Sequence, residues 1–169
     1  MTVTRCGHVP PSHHGYDLAR WPSRDAITLG ALEGAVPSAR AHVKQLLREW
    51  GWADLGQDAG VVVSELVTNS VMASAELRSA VAPVLVWLGS DSRSVLVAVA
   101  DMSPRPPTRP NPALEAEGGR GLALVEAFSN RWGWHPADTA GLTKVVWAEW
   151  QLPAVDSRPT GETGGCLRA

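Results

Sequence analysis

Apolar positions recur at two different spacings along the chain, and together they predict a folded unit of helices and strands. Apolar residues three and four apart predict helices over 36–50, 57–75 and 122–128. Short apolar runs, several rich in β-branched residues, predict strands over 26–32, 82–88, 95–101, 131–135 and 144–152. The valines at 61–63 also suit a strand, but the length of 57–75 favours a helix.

The order of these elements predicts a fold class. Strand, two helices, two strands, a loop, a helix and two strands indicate an α/β (α+β) two-layer sandwich. Its sheet is expected to be mixed but largely antiparallel, with the helices on one face. The run GSDSR at 89–93 is typical of a hairpin, so 82–88 and 95–101 are predicted to pair antiparallel. Clustered prolines make 102–117 a long loop, of the kind that often covers a site.

Composition suggests where the folded unit begins and ends. Residues 1–22 combine prolines, glycines and histidines without a regular period, which predicts a disordered leader. Residues 154–169 are rich in Gly, Ser, Thr and Arg and are predicted to be a disordered tail. A length of 169 residues fits one domain, which the pattern assigns to 23–153.

Charge and hydropathy exclude several classes of partner. The chain has 15 basic and 17 acidic residues without a basic cluster, which argues against nucleic acid. The longest clean apolar run, Val95 to Ala100, is far shorter than the roughly 20 residues that cross a bilayer. We therefore expect no membrane partner and a cytoplasmic protein. Both cysteines fall in the predicted end segments, so neither a disulfide framework nor a cysteine metal site is expected.

Two polar residues interrupt the most apolar predicted helix. Glu65 and Asn69 are four residues apart, so their side chains share one stripe of the helix. One of the two side chains can hold a metal ion while the other orients a nucleophile. Such a pair is also common on solvated helix faces. The valines around it favour the functional interpretation.

Two further features suit nucleotide chemistry, and each has a plain structural alternative. Asp101 ends an apolar strand, where it is either a turn former or a buried acceptor for the amine that distinguishes adenine from guanine. The run GGRGL at 118–122 opens a helix, where exposed backbone N–H groups suit a polyphosphate. A glycine turn that only caps the helix, without binding a ligand, would have the same sequence.

Taken in order, these features resemble a known superfamily. The helix carrying SELVTN at 64–69, the strand-end Asp101, the proline loop and the run GRGLA at 119–123 are similar to GHKL ATPases. That superfamily includes type II topoisomerases, heat-shock chaperones, histidine kinases and mismatch-repair proteins. The stretches VSELVTNS at 63–70, GGRGL at 118–122 and KVVWAE at 144–149 look most like anti-sigma regulatory factors of the serine/threonine-kinase type. The resemblance spans roughly 26–152.

The resemblance implies a histidine-kinase-like ATP-binding domain and a role for each matching residue. Glu65 would orient or activate the attacking hydroxyl or water, and Asn69 would coordinate Mg²⁺. Asp101 would accept a hydrogen bond from the amine of adenine, and Thr143 would lie beside the base. In relatives a pair of glycines usually follows this aspartate, and Ser103 takes the place of the first one. The phosphates would lie against a set of backbone-rich positions: Gly119, Arg120, Gly121 and Leu122. The loop 102–117 would be the nucleotide lid.

The same resemblance implies a function. The expected protein is an ATP-Mg²⁺-binding regulator that binds a sigma factor, phosphorylates a serine or threonine of an antagonist protein, or does both. The alternative is a nucleotide-gated binding module without phosphoryl transfer. Whether the protein forms a homodimer is left open by the sequence.

Overall fold

An antiparallel sheet carries helices packed on one of its faces. The computed structural model describes residues 4–5, 20–75, 77, 82–107, 121–137 and 141–152. The strands are β1 (Thr4–Arg5), β2 (Ser23–Gly30), β3 (Pro83–Ser90), β4 (Ser94–Asp101), β5 (Arg131–Pro136) and β6 (Lys144–Gln151). The helices are α1 (Ala35–Glu49), α2 (Gly56–Ala75) and α3 (Gly121–Phe128), with a 3-10 turn at Ala53–Leu55.

The strand order is β1-β2-β3-β4-β6-β5, and every neighbouring pair is antiparallel. The predicted two-layer α+β architecture is confirmed, as is the hairpin between β3 and β4. In that hairpin the Asp91 carboxylate accepts the backbone N–H groups of Arg93 at 2.7 Å and Ser94 at 2.6 Å. The mixed sheet of the prediction is, over the described strands, entirely antiparallel.

Strand β4 lies inside the sheet and is buried on both faces. Val95, Val97 and Val99 belong to the apolar cluster to which α1, α2 and α3 all contribute. The alternate residues, Leu96, Ala98 and Ala100, belong to a second cluster with Trp21 and Trp87. A strand with apolar contacts on both sides has a continuous apolar sequence rather than an alternating one. Over the ranges given above, no helix is long and apolar enough to cross a membrane.

The predicted leader needs a correction at residues that contact the sheet. Trp21 is only 1% exposed, and its ring packs edge-on against that of Trp87 with centroids 5.9 Å apart. The neighbouring Arg20 donates to Glu149 on β6 at 2.9 Å, and Thr4–Arg5 pairs with β2. Composition alone missed these contacts because a proline-rich segment can still supply one large apolar side chain to a core.

Candidate nucleotide site

Helix α2 presents two polar side chains beside its buried apolar surface. The buried side includes Val62, Val63, Leu66 and Val67. By contrast, Glu65 is half-buried and Asn69 is exposed. Because residues four apart share one helical stripe, these two side chains face the same neighbour.

That neighbour is the first residue of α3. A Cβ built on Gly121 would lie 2.9 Å from Glu65 Oε2 and 3.6 Å from both Asn69 Oδ1 and Asn69 Nδ2. Any larger residue would have to displace the Glu65 carboxylate, so glycine permits the close approach. The structure therefore brings Glu65, Asn69 and Gly121 together at a helix N-terminus, where backbone N–H groups lack intrahelical partners.

Asp101 is fully buried, and its carboxylate accepts hydrogen bonds on both oxygens. Oδ1 accepts the backbone N–H of Ser103 at 2.8 Å and lies 3.0 Å from the Lys144 ammonium. Oδ2 accepts the Ser70 hydroxyl at 2.8 Å. The Ser103 contact is the turn that the structural alternative predicts. Asp101 therefore forms the turn, and the three donors compensate the burial of its charge.

Helix α2 joins the two groups of residues. Ser70, which binds Asp101, directly follows Asn69, which faces Gly121. The acidic end of β4 and the start of α3 thus contact the same helix, at two neighbouring residues of α2.

Sequence reasoning missed two polar side chains that bind Asp101, and a further buried serine on the same helix as one of them. Ser70 and Lys144 contact the Asp101 carboxylate directly. Ser74 lies one turn beyond Ser70 and is 4% exposed, and its hydroxyl has no hydrogen-bond partner within the described part of the chain. The serines stand four apart on the predicted helix, which was an available signal. The Lys144 contact required the register between β4 and β6.

Of the other predicted site residues, two lie in described parts of the chain, and two do not. Thr143 lies beside Asp101, because its backbone N–H donates to the Asp101 carbonyl at 2.8 Å. The Leu122 side chain is buried in the core, so only its backbone is available to a ligand. Gly119 and Arg120 lie outside the described residues, as does the predicted lid beyond residue 107.

Comparison with protein families decides the identity of this fold. The family model for the histidine kinase-like ATPase domain matches residues 29–150. The chain belongs to this family. The matched range runs from the end of β2 into β6 and contains Glu65, Asn69, Asp101 and Gly121. A search of curated proteins found no match. Membership in the histidine kinase-like ATPase family suggests ATP binding.

The donor set of this histidine kinase-like ATPase domain fits Mg²⁺ held together with a nucleotide. The Asn69 amide supplies an oxygen of the kind that suits Mg²⁺, and this ion usually completes its shell with phosphates and water. In the ranges that the structure covers, no cluster of three or more His, Cys, Asp or Glu could hold a metal. A single amide oxygen fits a metal ion that arrives with phosphate.

A basic cavity lies on the other flank of Glu65. It has a volume of about 210 Å³ between α1 and α2, and its lining consists of Arg40, Lys44, Gln57, Gly60, Val61, Ser64 and Glu65. Arg40 Nε donates to the Ser64 hydroxyl at 2.8 Å, which ties α1 to the turn that carries Glu65. Glu65 thus stands between two cationic side chains and the start of α3.

The close approach at Gly121 gives a test of the ATPase-domain site. We expect Gly121→Ala to weaken ATP binding about tenfold, because the added carbon crowds the N-terminus of α3 beside Glu65 and Asn69, where backbone N–H groups can receive phosphate. Gly56→Ala is the matched control, since its Cβ would meet only Lys44 Cγ at 3.8 Å. Isothermal titration of both variants checks the prediction, and an unchanged affinity in Gly121→Ala would contradict it.

Proposed function

We propose that the protein is an ATP-Mg²⁺-binding regulator of the anti-sigma factor serine/threonine kinase type. It would act by binding a sigma factor, by phosphorylating a serine or threonine of an antagonist protein, or by both. The supporting observation is the contact of Gly121 with Glu65 and Asn69 in a histidine kinase-like ATPase domain. The proposal places the protein in the cytoplasm, where sigma factors act.

Each residue then has a defined task in nucleotide binding. The exocyclic amine of adenine donates to the buried Asp101 carboxylate, with Thr143 beside the base. The phosphates lie at the N-terminus of α3, whose N–H groups and dipole favour anions. Asn69 helps to hold Mg²⁺, which neutralises phosphate charge when it is bound. The loop 102–117 is proposed to cover the nucleotide and exclude water.

Phosphoryl transfer would use Glu65 as the general base. The acceptor hydroxyl oxygen forms a bond to the γ-phosphorus, and the bond between that phosphorus and the β–γ bridging oxygen breaks. ADP leaves, and the hydroxyl proton passes to the Glu65 carboxylate. The position of Glu65 between the basic cavity and Gly121 supports this role, because an acceptor can approach from one side and phosphate from the other.

A second candidate is a nucleotide-gated binding module without transfer. Helix α2 contains no Lys or Arg from Gly56 to Ala75, and Met72 is 63% exposed in the turn after Asn69. The helix therefore offers no cation to the charge that develops during transfer. In this alternative, ATP sets the conformation of the protein-binding surface only.

Two measurements separate these candidates. Labelled γ-phosphate from ATP should appear on a serine or threonine of a candidate antagonist protein when the regulator and Mg²⁺ are present. ATP binding without label transfer would instead support the module. Asn69→Ala should reduce the dependence of ATP affinity on Mg²⁺ to less than about threefold, because an oxygen ligand is lost. An unchanged Mg²⁺ dependence would contradict the assignment of Asn69.

A further inference from the structure

We propose that Lys144 is a positioning residue for base selection, which fixes the Asp101 carboxylate oxygen that receives the purine amine. The inference rests on the proposed ATP site and adds a residue that determines which purine base this site prefers. Lys144 would not touch the nucleotide. It would act through Asp101 alone.

The pairing of these two residues follows from the sheet. Asp101 is the last residue of β4 and Lys144 the first of β6, and they are direct cross-strand partners. The Lys144 side chain is 8% exposed and that of Asp101 is 0% exposed, with 3.0 Å between Nζ and Oδ1. A lysine ammonium is rarely buried to this extent without a partner, and here the carboxylate is that partner.

The contacts around Asp101 leave a defined place for one more donor. An ionised carboxylate has about four lone-pair positions. Ser103 N–H and Lys144 Nζ occupy Oδ1, and the Ser70 hydroxyl occupies one position on Oδ2. The remaining position is on Oδ2, the oxygen bound to α2 next to Asn69. A purine amine is therefore directed to the α2 side of the carboxylate.

The ammonium also controls what the carboxylate can recognise. An ionised carboxylate only accepts hydrogen bonds, so it binds the 6-amino group of adenine and rejects a 6-oxo group, which is itself an acceptor. The Lys144 ammonium lies 3.0 Å from Oδ1, so Oδ2 keeps its open position towards the purine amine. Without Lys144, only the Ser103 N–H and the Ser70 hydroxyl hold the carboxylate, and the adenine amine loses an oriented acceptor, whereas a 6-oxo group has no such contact to lose. Loss of Lys144 should therefore reduce discrimination rather than binding alone.

The experiment measures the dissociation constants of ATP and of inosine triphosphate, which has a 6-oxo group. The wild-type protein should prefer ATP at least about tenfold, since a buried acceptor facing a second acceptor is unsatisfied. Lys144→Met should bring the ratio of the two constants below about threefold. Lys144→Arg, which keeps the charge, should retain most of the preference.

The ratio of the two dissociation constants separates this role from a merely structural one, because loss of folded protein weakens the binding of both nucleotides equally. Lys144→Gln is the second variant, since its side chain is one bond shorter and does not reach Oδ1 from the same position. It is also better tolerated if Lys144→Met does not fold by circular dichroism. Full ATP preference in a folded Met or Gln variant would overturn the inference while leaving the ATP site intact. Failure of the wild-type protein to bind either nucleotide would overturn the proposed function itself.

Discussion

Asp101→Asn is expected to lower the free energy of unfolding by about 3–5 kcal/mol, because it leaves the buried Lys144 ammonium without its counter-charge. The same substitution should weaken ATP binding about tenfold to a hundredfold. The neutral amide is a poorer acceptor for the adenine amine, and its NH₂ group opposes the donors that surround it. Urea denaturation and isothermal titration measure the two effects separately.

The double variant Asp101→Asn with Lys144→Met distinguishes stability from recognition. Removing both charges eliminates the uncompensated ammonium, so most of the lost stability should return. ATP affinity should stay low, because the acceptor for the amine is still missing. If Asp101→Asn alone is as stable as the wild-type protein, the stabilising role of the buried ion pair is contradicted. Recovery of ATP binding in the double variant would contradict the role of Asp101 in recognition.

Glu65→Gln is expected to slow phosphoryl transfer by about 10²–10⁴-fold while ATP affinity changes less than about threefold. Glutamine has the shape of glutamate but cannot take the proton of the acceptor hydroxyl. Glu65 is half-buried and lies beside Gly121, so an isosteric change preserves that packing. Single-turnover transfer of labelled phosphate to the antagonist protein measures the rate.

Glu33→Gln is the control for charge alone, because Glu33 is an exposed residue in the turn between β2 and α1. It should leave both the transfer rate and ATP affinity unchanged. Transfer by Glu65→Gln at the wild-type rate would show that another group takes the proton. A large loss of ATP affinity in that variant would instead make Glu65 a binding residue.

The periodicity of the sequence predicted most elements because burial controls which positions are apolar. Helix α2 is the instructive case. Its three consecutive valines favour a strand locally, but Val62 and Val63 are buried with Leu66 and Val67, a spacing that only a helix brings to one side. The pairing of Glu65 with Asn69 followed from the same spacing, and the structure places Gly121 against both.

Features that depend on the register between strands were beyond the sequence. Lys144 is 43 positions after Asp101, and the two meet because β4 and β6 align their ends. Trp21 belongs to a segment without any period, yet it packs against Trp87 on the face opposite the helices. Neither contact has a signal in local spacing, because each is created by the order of the strands in the sheet.

We propose that Asp101 and the contact between α2 and Gly121 together form one site for adenine nucleotides. Isothermal titration of the wild-type protein with ATP and GTP, each with and without Mg²⁺, tests whether this site exists. We expect ATP to bind at least about tenfold more tightly than GTP, and Mg²⁺ to strengthen ATP binding further. Absence of ATP binding at millimolar concentration, or equal affinity for the two nucleotides, would contradict this site.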